Sequence, residues 1–237
     1  PHAPTINPVK QMIPRQRLPE AIIEGKSVGY MWDGSSIEAQ LLPFQYPAPG
    51  APRIHMLYRY GNSTFGTIAD SKRFIESYRH PSIECVVNQS IWFEGDARFA
   101  DIILPACTAL ERWDIGDWAN CAGYIHHNHS QLNHRIVTLQ HKCIEPLGES
   151  KSDYQIFLDI LHRMGLGIMF SEGGSELDWC KRVFESTDLT KHISWKQFAK
   201  KGYFVVPPER EELRDPVAMR WFAEGRHKDM PEPHPFP

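Results

Sequence analysis

The chain has 237 residues, of which 41% are hydrophobic and seven are Trp, so it contains enough apolar surface to bury a sizeable core. Its 26 Lys and Arg face 29 Asp and Glu, and the formal net charge of -3 excludes the strong basic bias of a general nucleic-acid-binding protein. No apolar run reaches the roughly 18 residues that a membrane-spanning helix needs.

Both ends of the chain favour a segment of a longer polypeptide. The N-terminus has no initiator Met and no apolar core of a signal peptide, and the C-terminus stops in the proline-rich KDMPEPHPFP. Residues 1–52 contain many Pro and Gly, including YPAPGAP at 46–52. This composition predicts an extended, irregular lead-in that follows a preceding domain.

A change of pattern after residue 52 predicts an α/β layer. RIHMLYRY at 53–60 is an apolar and aromatic run typical of a strand, and apolar residues then recur at helical spacing between 68 and 78. Two more strand candidates follow, IECVVNQS at 83–90 and ADIILP at 100–105. Continuous apolar strands that alternate with helices indicate a parallel sheet.

The rest of the chain predicts further helices and strands. RIVTLQHKC at 135–143 alternates like a strand, and YFVVP at 203–207 is a last strand candidate. Helices are predicted after Ser152, which with Gln155 matches a capping box, and near Ser175. A third, short helix is predicted after Ser194, where Gln197 completes the same pattern.

Two loops are candidates for ligand binding at the carboxyl ends of the predicted strands. GNSTFG at 61–66 lies where a Rossmann-like fold carries its phosphate loop, although its spacing is not GxGxxG and a plain turn would look similar. VNQSIW places Gln89, Ser90 and Trp92 at the end of the second strand. Ligands of open α/β sheets bind at that edge, but polar residues there are also ordinary loop caps.

Two other clusters favour structural interpretations. HHNH at 126–129, with Cys121 and His134, suggests zinc, but it lacks the paired spacing of structural zinc sites and is more typical of a histidine-rich surface. The five cysteines are dispersed without CxxC spacing, which indicates a reducing compartment and no iron–sulfur site. The carboxylates of ERWDIGDW (Glu111, Asp114, Asp117) could form a set for acid–base catalysis, but their spacing is more typical of a solvated face or a helix cap.

Three segments of the chain, taken in order, resemble the third domain of the dimethyl-sulfoxide-reductase family of molybdopterin oxidoreductases. They are FADIILPACTALERWD, ANCAGYI and CIEPLGESKSDYQIF. Within that family, three more segments resemble enzymes that transfer hydroxyl groups on polyhydroxylated aromatics such as pyrogallol. They are QSIWFEG, KCIEP and RWFAEGR. The resemblance runs from the YPAPG segment to about residue 229.

This resemblance implies a domain organisation and a cofactor. Residues 53–170 would form a Rossmann-like domain that binds molybdopterin guanine dinucleotide, after the lead-in at 1–52. Residues 171–237 would form a helical and strand extension that leads to a further domain. The whole subunit would hold two such dinucleotides around one molybdenum, pair with an iron–sulfur small subunit, and lie in the cytoplasm.

The resemblance also implies site residues. In the loop ANCAGY, Tyr124 would hydrogen-bond the polyphenol substrate and Cys121 would lie close to it. No residue of this chain would ligate the metal. The dinucleotide contacts would share one sheet edge and come from Gly61, Asn62, Gln89, Ser90, Trp92 and Asp101.

Three functions remain open at this point. The leading hypothesis is a molybdenum hydroxylase or transhydroxylase, and a resorcinol-type hydroxylase on the same scaffold is its nearest alternative. A non-catalytic dinucleotide-binding or assembly module is a second class, because the chain would carry one cofactor half-site and no metal ligand. A zinc-binding module built on His126, His127 and His129 is the third.

Overall fold

The computed structural model describes residues 9, 11–31, 42–61, 63–116, 136–205, 207 and 225. The described chain is α/β, as predicted, and it divides between Ala106 and Cys107 into two compact units. The first unit contains two sheets and the second unit one, and each unit has its own apolar core. The three-part division at residues 52 and 170 stays a prediction.

The first unit contains the predicted parallel sheet. Its strands are β3 (Met56–Tyr60), β4 (Cys85–Ser90) and β5 (Ile102–Pro105). The strand order is β3–β4–β5, and both pairs run parallel, from Met56 opposite Cys85 and from Val87 opposite Ile102. All three predicted strands are therefore confirmed, and their carboxyl ends meet at one edge.

Two helices connect β3 to β4. They are α2 (Thr64–Thr67) and α3 (Ser71–Tyr78), and the left-handed backbone of Asp70, with φ of 63°, separates them. The apolar face of α3 packs on the sheet because Phe74 and Tyr78 recur at helical spacing. The buried core of this unit consists of Ile22, Leu57, Phe74, Tyr78 and Val86.

The prediction of an irregular lead-in is wrong within the described part of residues 1–52. That part forms α1 (Leu18–Ile23), β1 (Ser27–Met31) and β2 (Leu42–Tyr46), and the two strands pair antiparallel. The prolines are compatible with this structure because Pro19 lies in the first turn of α1, where no helical N–H is needed. Pro43 lies in a two-stranded sheet, in which each strand is an edge strand.

The second unit, from Cys107 onward, contains an antiparallel sheet that the sequence did not predict as such. Its strands are β6 (Asp114–Gly116), β7 (Ile136–Gln140) and β8 (Tyr203–Val205), and β7 lies in the centre. β7 and β8 confirm the strand candidates at 135–143 and 203–207. The core of this unit contains Val137, Leu139, Cys180, Phe184, Leu189 and Phe198.

Three of the four described α-helices of the second unit begin where the sequence predicted them, and the short helix Gly167–Ser171 was not predicted. The four helices are α4 (Asp153–Arg163), α5 (Gly167–Ser171), α6 (Glu176–Glu185) and α7 (Trp195–Lys201). Ser194 and Gln197 form the predicted capping box, and α7 ends at Gly202 with φ of 79°.

The capping box predicted for α4 is only half formed. The Ser152 hydroxyl accepts a hydrogen bond from the Gln155 amide at 3.1 Å, as predicted. The Gln155 side chain, however, donates through Nε2 to the Asp159 carboxylate at 2.6 Å, and its oxygen does not accept from the Ser152 amide. The contact with Asp159, one helical turn further on, therefore replaces the reciprocal bond of the box, in which the Gln oxygen would accept from the N-cap amide.

Within the part of the chain that the structure describes, no helix has the length and apolar character needed to cross a membrane. The same residues contain no group of three or more His, Cys, Asp or Glu side chains arranged to hold a metal ion.

Candidate functional site

The carboxyl edge of the parallel sheet is the candidate site, since open α/β sheets bind ligands there. Four of the sequence-predicted contacts lie at or next to this edge: Gly61 after β3, and Gln89, Ser90 and Trp92 at the end of β4. The hydrogen bonding between β3 and β4 continues one residue beyond β3, because the Gly61 amide donates to the Gln89 carbonyl at 3.0 Å. Asn62 lies outside the described residues.

Gly61 leaves this edge open. Its φ of 87° lies in the left-handed region, which glycine adopts without the strain that a side chain would add. Among the described residues other than its chain neighbours, a Cβ placed on Gly61 would have no heavy atom within 4 Å. A ligand can therefore approach the backbone closely at this position.

The two polar residues at the end of β4 have different environments. Gln89 is 1% exposed, and its side-chain oxygen accepts a short hydrogen bond from the Tyr58 hydroxyl. Ser90 donates its hydroxyl to the Glu94 carboxylate at 2.9 Å and accepts from the Trp92 amide at 3.4 Å. Gln89 therefore stabilises the sheet, whereas Ser90 shapes the turn that leads to Glu94.

Three consecutive apolar side chains extend from this turn into solvent. Trp92 and Phe93 are 68% and 66% exposed, and Ile91 next to them is also exposed. Single exposed apolar residues are ordinary, but a contiguous run at a binding edge marks a contact surface. The exposed indole offers a flat face on which a planar ring can stack.

Glu94 adds a carboxylate to the same edge and was missed by the sequence analysis. It is half-buried, and among the described residues it forms no ion pair. Acceptors of this kind suit ribose hydroxyls and the N–H groups of a purine better than phosphate. The sequence signal for a role of Glu94 was an acidic residue shortly after a strand, and acidic residues at such positions are common in loops without a binding function.

The predicted placement of Asp101 is wrong. Asp101 precedes β5, so it lies at the amino edge of the sheet, opposite to Gly61 and Ser90. Its carboxylate accepts from the Val86 amide at 2.7 Å, and its own amide donates to the Val86 carbonyl at 2.8 Å. In a parallel sheet a residue before a strand and a residue after a strand lie at opposite edges, and Asp101 anchors the start of β4.

A buried carboxylate, Asp96, lies behind the turn that follows β3. It is 0% exposed and belongs to a short 3-10 helix after β4. One oxygen accepts from the Ser63 hydroxyl and the Phe65 amide, each at 3.1 Å. The other accepts from Arg59 Nε at 3.2 Å and from the Tyr78 hydroxyl at 3.1 Å.

The protonation states in this cluster follow from its contacts. Burial acts to raise the pKa of Asp96, but hydrogen bonds from the 64–65 turn and the charge of Arg59 outweigh it and leave the pKa lowered. Burial raises the pKa of Tyr78 to about 12, and the nearby Asp96 carboxylate adds to this effect. The cluster therefore consists of an ionised Asp96 beside a neutral phenol.

Asn88 is a second buried polar residue of β4 that sequence reasoning did not select. It is 2% exposed, and its side-chain oxygen has no hydrogen-bond donor among the described residues. It lies opposite Arg59 on β3 and Ile103 on β5. An unpaired buried acceptor near the end of the central strand is unusual, because such groups are nearly always satisfied.

Glu111, a candidate acid–base residue, has a structural role in the second unit. It forms a capping box with Thr108, whose amide and hydroxyl each donate to it at 2.7 Å. Its other oxygen accepts from the Leu147 amide at 2.6 Å, so the carboxylate links two loops. The Thr108 hydroxyl and amide and the Leu147 amide lower the pKa of Glu111 to about 2.

This lowered pKa predicts a defined loss of stability in acid. Because the folded pKa lies below the ordinary 4.5, Glu111 stabilises the fold above pH 4.5, and this contribution disappears as the pH falls toward 2. We expect Glu111→Gln to lower the free energy of unfolding more at pH 6 than at pH 2.5. Hydrogen exchange of the peptides that contain Thr108 and Leu147, corrected for intrinsic exchange rates, measures this local loss at the two pH values. The exposed Glu149→Gln is the control, and equal losses of stability at both pH values would contradict the structural role of Glu111.

The remaining candidate residues lie outside the described part of the chain. These are the predicted catalytic residues Cys121 and Tyr124, together with Asp117, His126, His127, His129 and His134. Neither the proposed substrate loop nor the zinc alternative is tested by the structure. Asp114, which is described, forms an ion pair with Arg112 at 3.2 Å.

Comparisons with known proteins give a consistent result. A family profile described as molybdopterin oxidoreductase matches residues 43–163, more than half of the chain. The pyrogallol hydroxytransferase large subunit of Pelobacter acidigallici is 50% identical over 229 residues, which cover 94% of this chain and 26% of that protein. The dimethyl sulfoxide/trimethylamine N-oxide reductase of Cereibacter sphaeroides is 30% identical over 62% of this chain and 16% of that protein.

Among solved structures, acetylene hydratase from Pelobacter acetylenicus aligns with a TM-score of 0.49 and 15% sequence identity. The alignment covers 80% of this chain and 24% of that protein. The chain therefore spans about a quarter, or less, of the length of these relatives.

Proposed function

The chain belongs to the molybdopterin oxidoreductase family, as its sequence resemblance predicted, and we propose that it forms the Rossmann-like third domain of a molybdenum enzyme that acts on polyhydroxylated aromatics. The activity would be that of a pyrogallol hydroxytransferase. The observation that carries this proposal is the 50% identity to such a large subunit along 94% of the chain.

The residues at the carboxyl edge fit the nucleoside part of a molybdopterin guanine dinucleotide. The free space in front of Gly61 admits a ligand, and the exposed Trp92 offers a stacking surface. Glu94 and Ser90 provide oxygen acceptors for ribose hydroxyls or purine N–H groups. The bound molybdenum would supply the redox and group-transfer chemistry, and this edge would hold the nucleotide end of its ligand.

The substrate side of the proposal rests on the loop ANCAGY. Tyr124 would orient the substrate through its phenol hydroxyl, with Cys121 nearby. The relative's description as a large subunit supports a second subunit as partner, and we extend this to an iron–sulfur subunit and a cytoplasmic location. A resorcinol-type hydroxylase differs only in releasing electrons to that partner.

The test of this function is the cofactor content of the full-length gene product, purified anaerobically with its partner subunit. We expect molybdenum and about two guanine dinucleotides per metal, followed by turnover of pyrogallol-type substrates. The binding-module alternative predicts guanine nucleotide without turnover. A protein that contains neither molybdenum nor guanine would remove the proposed function.

Trp92→Ala tests the nucleotide edge directly. Stacking of a base on an aromatic side chain contributes about 1–3 kcal/mol, so we expect guanine nucleotide to dissociate roughly 5- to 150-fold faster from the variant. Release is measured by chromatography of the nucleotide after timed dilution of the holoenzyme. Tyr30→Ala removes an exposed aromatic from β1 and is the matched control. Equal release from wild type and Trp92→Ala would place the base elsewhere.

A further inference from the structure

We propose that the Asp96 carboxylate takes the position that a ligand's phosphate takes in a dinucleotide-binding βα turn, so that this turn is closed to ligand anions. Phosphates in such turns accept hydrogen bonds from backbone amides and hydroxyls after the first strand. Asp96 accepts from the same kinds of donors, the Phe65 amide and the Ser63 hydroxyl, each at 3.1 Å.

The charge of Asp96 is compensated within the protein. Arg59 Nε lies 3.2 Å from one carboxylate oxygen, and the Tyr78 hydroxyl lies 3.1 Å from the same oxygen. Each oxygen thus accepts two hydrogen bonds, and the carboxylate is completely buried. A ligand phosphate would have to displace a buried, paired carboxylate to reach these donors, which is strongly unfavourable.

Asp96 also joins three parts of the first unit. It links the end of β3, through Arg59, to the turn at Ser63 and to α3, through Tyr78. The turn between them contains Gly61, whose left-handed backbone borders the candidate site. The occupation of the turn by Asp96 is independent of the proposed function. If Asp96 occupies the turn, a bound dinucleotide places its phosphates away from α2, and this consequence rests on the proposed function.

Chemical rescue tests the occupied turn. In Asp96→Gly the carboxylate is removed and its four donors are left around a small cavity, which formate has the size and charge to fill. We expect formate at ten times its dissociation constant to slow hydrogen exchange of peptides from α2 and α3 by about tenfold in the variant. Wild type and Asp96→Asn, in which a side chain fills the position, should not respond. A folded Asp96→Gly protein that ignores formate would overturn the proposal.

Ser63→Ala provides a second test that does not depend on the folding of Asp96→Gly. If the turn is closed to ligands, this variant of the holoenzyme keeps its guanine nucleotide and releases it at the wild-type rate. A well-folded Ser63→Ala protein that loses nucleotide would show that the turn binds the ligand and that Asp96 does not replace it. Failure of the proposed function is distinct, because the protein would then lack nucleotide while formate rescue of Asp96→Gly persisted.

Discussion

Replacing Asp96 with asparagine is expected to destabilise the first unit by about 3–5 kcal/mol, the scale for breaking a buried ion pair. The Asp96 carboxylate is completely buried and accepts four hydrogen bonds. An amide of the same shape keeps one acceptor oxygen and turns an NH₂ group toward donors. Arg59, 19% exposed, would lose its buried counter-charge.

Hydrogen exchange measures this loss locally, since a protein with more than one compact unit does not unfold in a single transition. Peptides from α3 and β4 should exchange about 10²- to 10³-fold faster or more in Asp96→Asn, as each 1.4 kcal/mol is tenfold. Glu76→Gln removes the same charge from an exposed position of α3 and should change exchange little. Similar exchange in both variants would mean that Asp96 is not the anchor described above.

Local sequence patterns predicted most of the helices and strands because residues within or next to each element determine where it forms. The Ser194–Gln197 pair defines the start of α7 by hydrogen bonds within one turn, and Gly202 ends it by adopting positive φ. The strands of the parallel sheet are short apolar runs between turn residues, so both signals lie in the strand or directly beside it. Such elements need no knowledge of the rest of the fold.

The candidate site was only partly predictable because its key pairings are distant in sequence. Arg59 and Asp96 lie on different elements, and no spacing rule links them before β3 and β4 pair. The sequence offered Glu94 and Asp96 as two acidic residues of one loop, without indicating which one is buried. Asp101 was assigned to the wrong edge by the resemblance, although the strand predicted at 100–105 already placed it at an amino end, and β5 begins after it at Ile102.

Tyr124→Phe is expected to lower the turnover of a polyphenol substrate by a factor of about 10² or more in the holoenzyme. This is the scale of a lost orienting or acid–base group. Phenylalanine keeps the ring and its packing but removes the hydroxyl that would orient or protonate a substrate hydroxyl group. Molybdenum and guanine nucleotide should remain at wild-type levels, since Tyr124 is assigned to the substrate and the nucleotide edge to Gly61, Ser90 and Trp92.

Measuring turnover together with cofactor content separates a role of Tyr124 in substrate binding from a role in cofactor binding. Reduced turnover with full cofactor assigns Tyr124 to the substrate, whereas reduced turnover with reduced cofactor would make the loop ANCAGY part of the cofactor site. Tyr30→Phe, which removes a hydroxyl from an exposed residue of β1, is the matched control and should leave both quantities unchanged. Wild-type turnover in Tyr124→Phe would exclude the phenol from the reaction. In that case the hydroxyl-transfer chemistry would need its orienting group from another residue of the enzyme.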